Sequence, residues 1–194
     1  TVSNIAGTAR SAEQIFKASL QIDLFDSYFP EGWRKGFFMP DVDKKILMKS
    51  DYLRKEAELY IDYISKGGIV DENKFMQKSL KAINEGGAML NNWVYEQSKK
   101  FLDRDKLVCL IGGDHSTPLG FYKALSEKYG RFGILQIDAH CDMRKSYEGF
   151  KYSHASIMYN ALEDIPGIEK LVQVSVRDLC EEEWNYVCNS NFRV

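Results

Sequence analysis

Residues 132–142 read FGILQIDAHCD, and this stretch decides the fold class of the chain. Its first six residues form a largely apolar run that stops at Asp138, a pattern that predicts a short buried strand. A second run, LVCLI at residues 107–111, stops in the same way at Gly112–Gly113. Between the runs, Thr117–Pro118 is typical of an N-cap and a first helical position. The order strand, helix, strand predicts a parallel sheet.

Helices and strands continue to alternate on both sides of this unit. Upstream, a short helix carrying Ile15 and Phe16 precedes charged, periodic sequence over residues 50–104, which predicts two amphipathic helices divided at Gly67–Gly68. Downstream, we expect a helix over about residues 155–162 and, after a Pro-Gly turn, a strand over residues 171–176. The alternation predicts an α/β domain with a mostly parallel sheet and helices on both faces.

Length and chain ends bear on the domain organisation. A chain of 194 residues with 44% hydrophobic composition can bury one sizeable core, so we expect a single domain over residues 1–194. The first residue is Thr1, and residues 191–194 resemble the start of another strand. We therefore expect this domain to be a fragment that is truncated at both ends.

Charge and hydropathy exclude several classes of partner. Lys and Arg total 26 against 28 acidic residues, giving a net charge of -2, so the basic stripe that nucleic-acid binding needs is absent from the sequence. No apolar run approaches the 18 or so residues that a membrane span requires. We expect a soluble, cytoplasmic protein that acts on a small molecule.

The four cysteines form no Cys-x-x-Cys pair, which argues against a cysteine zinc site and favours a reducing compartment. Cys109 lies inside the apolar run 107–111, where we expect a buried core residue.

Two polar clusters follow consecutive predicted strands: GGDHS at residues 112–116 and DAHCD at residues 138–142. Ligand sites in open parallel sheets lie at the carboxyl ends of the strands, so the clusters should meet. Alternate positions of an extended chain point to one side, which would bring Asp138, His140 and Asp142 together. Two neighbouring carboxylates are costly without a cation. With His115, they make four candidate metal ligands.

Each cluster also has a simpler interpretation. An Asp-x-His-x-Asp segment can be an ordinary polar loop, and the glycines before His115 can merely form a turn. The metal interpretation gains its weight from the position of both clusters at consecutive strand ends. Oxygen ligands with histidine favour manganese over a structural zinc. Cys141 alternates to the opposite side, where packing is the expected role.

His154 precedes the predicted helix near residue 155 and follows the loop that leaves the second cluster. It is placed to line the pocket as a proton shuttle, although a structural role is the alternative for an isolated histidine. Ser153 before it can serve as a helix cap.

The sequences Gly-Gly-Asp-His-Ser and Asp-Ala-His-Cys-Asp resemble the first two signatures of the arginase and agmatinase superfamily, the ureohydrolases. Gly7–Thr8 resembles an early turn of that family, and Val176–Arg177 resembles a later strand segment. The residues around His154 are more similar to the agmatinase branch. The resemblance implies a three-layer α-β-α, arginase-like fold and two Mn²⁺ ions per complete active site.

The resemblance also implies residue roles and a reaction. His115 and Asp142 would bind one metal, Asp138 would bridge both, and His140 would bind the other. His154 and Asp142 are the catalytic candidates, with His154 relaying a proton to the leaving amine. The implied reaction hydrolyses a guanidino substrate to urea and an amine, with agmatine giving putrescine as the first choice, and family members form trimers or hexamers.

One departure from the family is that no Asp-x-Asp follows Asp142, although the third signature of these enzymes supplies further ligands. Asp178 stands alone, and residues 181–183, three glutamates, are expected to be the first turn of a solvated helix. The fragment alone is therefore expected to be inactive. Arg144 and Lys145 near the cluster leave an acidic substrate open.

Two alternatives stay open. The first is a different ureohydrolase activity, as an arginase, a guanidino-acid hydrolase or a formiminoglutamase. The second is a non-catalytic pseudoenzyme that serves as a binding or assembly module.

Overall fold

The computed structural model describes residues 7–191 and 193–194. The helices and strands follow in chain order: α1 (Ser11–Ser19), α2 (Lys44–Ser65), α3 (Lys74–Leu102), α4 (Leu119–Tyr129), β1 (Phe132–Ile137), α5 (Ile157–Asp164), β2 (Ile168–Val174) and α6 (Glu181–Cys188). Short 3-10 turns lie at Thr8–Arg10, Gly32–Lys35, Val70–Glu72 and His154–Ser156. No helix among the described residues is both long and apolar enough to cross a membrane.

The helices begin where the sequence provides capping side chains. The Asp43 carboxylate accepts the N–H groups of Lys45 and Ile46 at the start of α2, and Asn73 serves α3 in the same way. The break between these helices falls at Gly67–Gly68, as predicted, and Gly67 has a positive φ of 83°. Each helix therefore starts and stops for local reasons that the sequence contains.

The sheet of the described residues consists of β1 and β2, which pair in parallel from Phe132 opposite Ile168 to Ile137 opposite Val174. The predicted parallel pairing is confirmed. Strand β2 starts and ends earlier than the predicted range 171–176. It ends at Val174 because Ser175 has a φ of 73°, which ends the extended conformation.

Residues 107–111 do not form the predicted strand. They belong to no helix or ladder, and Leu107 is 96% exposed. An apolar run becomes a strand only where a neighbour accepts its backbone hydrogen bonds, and within the described ranges β1 pairs with β2 alone. Cys109 is consequently exposed, so its predicted place in the core is wrong.

Two apolar clusters form the core. One is built around helices α4 and α5 and strand β2, and it includes Cys141 and Met143 from the loop after β1. The other joins α2, α3 and Phe150. Because the first cluster reaches under the loop at residues 138–143, the carboxyl end of β1 rests on a packed base.

The opposite face of the sheet is exposed among the described residues. Its apolar side chains come from neighbouring positions of both strands: Leu135, Ile137, Val172 and Val174.

The predicted strand start at residues 191–194 includes Phe192, which lies outside the residues that the structure describes. The Arg193 carbonyl accepts the N–H of Leu171 at 2.7 Å, so the chain passes beside β2 at this point.

Candidate metal centre

The loop after β1 departs from an extended conformation at once. The Asp138 N–H continues the ladder by donating to the Val174 carbonyl, but the Asp138 Oδ1 atom then accepts the backbone N–H of His140 at 2.9 Å. Asp142 has a φ of 56°, in the left-handed region that aspartate tolerates better than most residues. The chain therefore turns between the two aspartates.

The second segment of the site is a tight turn before α4. Gly112 and Gly113 have φ values of 92° and 73°, which suit glycine. The Asp114 Oδ1 atom then accepts both the N–H of Ser116, at 3.0 Å, and its hydroxyl, at 2.6 Å. This Asx turn fixes the backbone around His115.

Three of the four predicted ligands meet at the carboxyl end of β1. His115 Nδ1 lies 2.6 Å from Asp142 Oδ2 and 3.3 Å from Asp138 Oδ2. One ligand atom from each of the three residues falls within 4.8 Å of the others. Asp142 is buried, whereas His115 and Asp138 are half-buried, so the group is open to solvent on one side.

His140 lies at the rim of this group. Its Nδ1 is 3.2 Å from Asp138 Oδ1, whereas His115 contacts Asp138 Oδ2, and the His140 side chain is 61% exposed. A bend at Ala139 interrupts the extended alternation that would align it with both aspartates, and His140 then forms a single parallel bridge with Asp178. Metal binding by His140 stays a prediction. Such an ion would share the Asp138 Oδ1 atom, which lies beside the His140 ring.

The pKa values of His115 and Asp138 are shifted in the directions that their contacts imply. Burial lowers the pKa of His115, but the hydrogen bond to Asp142 and the charges of Asp142 and Asp138 outweigh it, so the net pKa is raised. For Asp138, burial raises the pKa, but the His140 N–H and the His115 charge lower it overall. A positive charge is thus favoured among these oxygens.

The donor set fits a divalent cation. Two carboxylate oxygens and an imidazole nitrogen are hard to intermediate ligands of the kind that Mn²⁺ and related ions prefer. A metal would replace the proton that the carboxylates otherwise stabilise on His115 Nδ1, so metal and protons compete for this atom.

Cys141 is held below the loop, as its predicted packing role requires. It is 1% exposed, and its thiol lies 3.4 Å from Gln173 Oε1. Burial, together with the charge of Glu183, raises the pKa of the thiol to about 11. It is not part of the His-Asp-Asp group among the described residues.

His154 occupies the 3-10 turn before α5. Its ring lies edge-on to Tyr147, with centroids 6.0 Å apart, and its Nδ1 atom is buried without a hydrogen-bond partner. Ser153 accepts the N–H of Ala155 and so caps this turn. A buried, unpaired imidazole nitrogen is costly unless a ligand or a proton-transfer partner uses it. The catalytic assignment of His154 stays a prediction.

Glu183 is a residue that the sequence interpretation placed wrongly. Glu181 and Glu182 are exposed as expected, but Glu183 is only 3% exposed. Its carboxylate accepts the N–H of Met143 at 3.0 Å and the N–H of Cys180 at 2.8 Å. The spacing of Cys180 and Glu183, N-cap and N3 of α6, is the signal that indicates a capping role.

Comparison with known proteins adds to this geometry. The profile of the Arginase family matches residues 2–194. The chain belongs to the arginase family. A crystal structure of a "putative agmatinase" from Clostridium difficile superposes with a TM-score of 0.60 at 18% identity, over 98% of this chain and 56% of that one. The α/β fold class is confirmed by this likeness.

Curated relatives share the sequence at moderate identity. An agmatinase of Bacillus cereus is 31% identical over 137 residues, which is 71% of this chain and 43% of that protein. An N(1)-aminopropylagmatine ureohydrolase of Thermus thermophilus is 39% identical over 85 residues, 43% of this chain and 28% of that protein. The chain thus spans less than half the length of these relatives. The predicted ureohydrolase resemblance is confirmed.

Proposed function

We propose that this chain contributes metal-binding residues at the end of β1 to a manganese-dependent ureohydrolase that cleaves a guanidino substrate to urea and an amine. The observation that carries the proposal is the convergence of His115, Asp138 and Asp142 at the end of β1 in a chain of the arginase family. Agmatine, giving putrescine, is the substrate we place first, because agmatinases are among the relatives and one of them is matched over 71% of this chain.

The contacts support the residue roles that the family resemblance implies. His115 and Asp142, joined at 2.6 Å, would hold one ion. Asp138 points one oxygen at His115 and the other at His140, so it is suited to lie between two ions, with His140 on the second. Bound divalent cations supply Lewis-acid activation of water at neutral pH. His154, with its unpaired Nδ1, would hold the proton that the leaving amine requires.

The guanidino class has support from the names of the relatives. They include agmatinases, N(1)-aminopropylagmatine ureohydrolases and a guanidinobutyrase of Pseudomonas aeruginosa that is 28% identical over 104 residues, 52% of this chain and 33% of that protein.

The contacts of Arg144 bear on whether the substrate carries a carboxylate. Its guanidinium lies 3.8 Å from the Glu183 carboxylate and 5.4 Å from the Tyr147 ring centroid, so its charge is already engaged. This favours a substrate without a carboxylate.

The test uses the protein that carries this chain, with Mn²⁺ titration and a urea-release assay on agmatine. We compare Asp142→Asn with Asp105→Asn, because both aspartates have φ values near 55° and asparagine tolerates that conformation. Asp142→Asn should lose Mn²⁺ affinity and urea release, and Asp105→Asn should retain both.

Two results would overturn parts of the proposal. Mn²⁺ binding without urea release from agmatine, 4-guanidinobutyrate or arginine would indicate a non-catalytic binding module. Urea release from one of the latter two alone would reassign the substrate. We further propose that the protein is cytoplasmic and forms a homo-oligomer, a trimer or hexamer. Light scattering on the purified protein would test the oligomeric state.

A further inference from the structure

Two glutamine side chains face each other across the sheet directly beneath the metal-binding loop. Gln136 on β1 is paired in register with Gln173 on β2, and Gln136 is only 4% exposed. The neighbouring pair on the same face is Ile134 and Leu171, which belong to the apolar core. Buried amides in such a position are costly unless every hydrogen-bonding group finds a partner.

The partners of these amides lie in the loop. The Gln173 Nε2 atom donates to Gln136 Oε1 and to the Cys141 carbonyl, both at 2.7 Å. The Gln136 Nε2 atom donates to the His140 carbonyl at 3.2 Å. The pair therefore binds two successive carbonyls of the loop from below.

Those carbonyls belong to the residues between the two aspartates of the centre. The chain turns after Asp138 and again at Asp142, so the path of residues 140 and 141 sets the separation and angle of the two carboxylates. Loop carbonyls held by a buried side-chain network have one favourable position, whereas free ones would seek water.

We infer that Gln136 and Gln173 act together as positioning residues that hold the backbone of His140 and Cys141, and thereby set the geometry in which Asp138 and Asp142 receive a metal ion. This inference rests on the metal centre proposed above. Neither glutamine is a ligand; both act on the ligands through the loop backbone, and Gln136 also hydrogen-bonds the Asp138 side chain.

The experiment measures Co²⁺ and Mn²⁺ affinity by calorimetry, and the visible absorption spectrum of the Co²⁺ form, in the protein that carries this chain. Gln173→Met and Gln136→Met keep the length of the side chain and remove the amide. Gln77→Met is the matched control, because Gln77 Nε2 also donates to a backbone carbonyl, that of Asp71 at 2.7 Å. This hydrogen bond is exposed and lies in a part of the sequence remote from the metal-binding loop. We expect metal affinity to fall roughly 10-fold or more in the first two variants, the range typical of residues that orient ligands. The Co²⁺ spectrum should change as well, and the control should behave as the unmodified protein does.

A loss of stability is separated from a loss of positioning by two further variants. Ile83→Ala opens a cavity in the other core cluster and should lower the melting temperature without altering the Co²⁺ spectrum. The double variant Gln136→Met/Gln173→Met should lose no more affinity than Gln173→Met, since the amides act as one unit. It also replaces both partners at once, which gives a second folded candidate if a single variant unfolds.

The outcomes distinguish this inference from the proposed function. If the unmodified protein binds neither ion, the metal centre itself is wrong. If it binds them and folded glutamine variants bind them with unchanged affinity and spectrum, the positioning role is wrong while the metal centre stands.

Discussion

Asp142 combines two tasks that few residue types can perform together. Its left-handed backbone turns the chain, so that its carbonyl accepts the N–H of Met158 at 3.0 Å at the start of α5, while its carboxylate reaches His115. A β-branched or bulky residue would be strained at this φ. The site therefore depends on the backbone tolerance of aspartate as well as on its charge.

His154 provides a prediction that separates proton transfer from metal binding. Because it lies outside the His-Asp-Asp group, His154→Ala should lower turnover of the guanidino substrate by roughly 100-fold, the scale of general acid catalysis. The metal content, measured by atomic emission on the same sample, should stay the same. His115→Ala is the comparison, and it should lose metal. Loss of metal in His154→Ala would mean that its role is misassigned.

Cysteine accessibility gives a prediction on the loop without any assay of activity. Cys141 is buried under the loop, whereas Cys109 and Cys188 are exposed. Brief treatment with iodoacetamide at pH 8 should therefore alkylate Cys109 and Cys188 and spare Cys141, because a buried thiol is out of reach of the reagent. Peptide mass spectrometry reads the result. Rapid labelling of Cys141 in folded protein would contradict the packing role.

At the scale of elements, α6 and the metal-binding loop are joined by one carboxylate. Glu183 accepts the N–H of Met143, immediately after Asp142, and closes the capping box at the start of its own helix. Helix α6 thus holds the loop from one side, while α5 holds it through the carbonyl of Asp142.

Removal of this carboxylate should be costly. Glu183→Ala leaves the buried N–H of Met143 and the part-buried N–H of Cys180 without an acceptor, and we expect the free energy of unfolding to fall by about 2 to 4 kcal/mol in urea denaturation. Glu183→Gln keeps one acceptor oxygen and should cost less. Glu182→Ala, on the exposed side of the same turn, is the control and should change stability by under about 0.5 kcal/mol. Equal effects at both positions would argue against the observed burial.

The contact between α3 and α4 depends on a glycine. A Cβ atom on Gly120 would collide with the backbone carbonyl of Asn91 and approach the N–H of Tyr95, so neither neighbour can move as a side chain would. Gly120→Ala should therefore lower stability by about 1 to 3 kcal/mol, despite the better helix propensity of alanine. Gly32→Ala, where the added atom meets ordinary contact distance, is the control. Thermal melting measures both.

At the scale of the whole molecule, the chain presents an apolar sheet face to solvent. Leu135 and Val172 are register partners on this face, with exposures of 64% and 45%. Contiguous exposed apolar patches promote association. We expect Leu135→Thr/Val172→Thr to reduce binding of a hydrophobic dye and self-association in light scattering, with little change in melting temperature. Tyr129→Thr, an exposed aromatic at the end of α4, is the control for a general change in surface polarity.

Much of the fold was predictable because its signals are local. The periodicity of α2 and α3, the glycine break between them and the apolar run of β1 all report on neighbouring residues. The ligand candidates were also local, because polar residues after a strand of a parallel sheet fall at its carboxyl edge. The rule holds for Asp138 and Asp142, which follow β1, whereas His115 reaches them from a turn that no strand precedes.

The sequence by itself thus determined the main helices, the two strands that form, their parallel direction and the candidate metal ligands. The tertiary structure alone decided which apolar run found a strand partner, and residues 107–111 did not. It buried Glu183 against Met143. It also placed His140 at the rim, because the hydrogen bond from the His140 N–H to Asp138 accompanies a bend that interrupts the extended conformation. These outcomes depend on partners distant in sequence or on competition between hydrogen bonds. The hydrophobic periodicity of the sequence reports on neither.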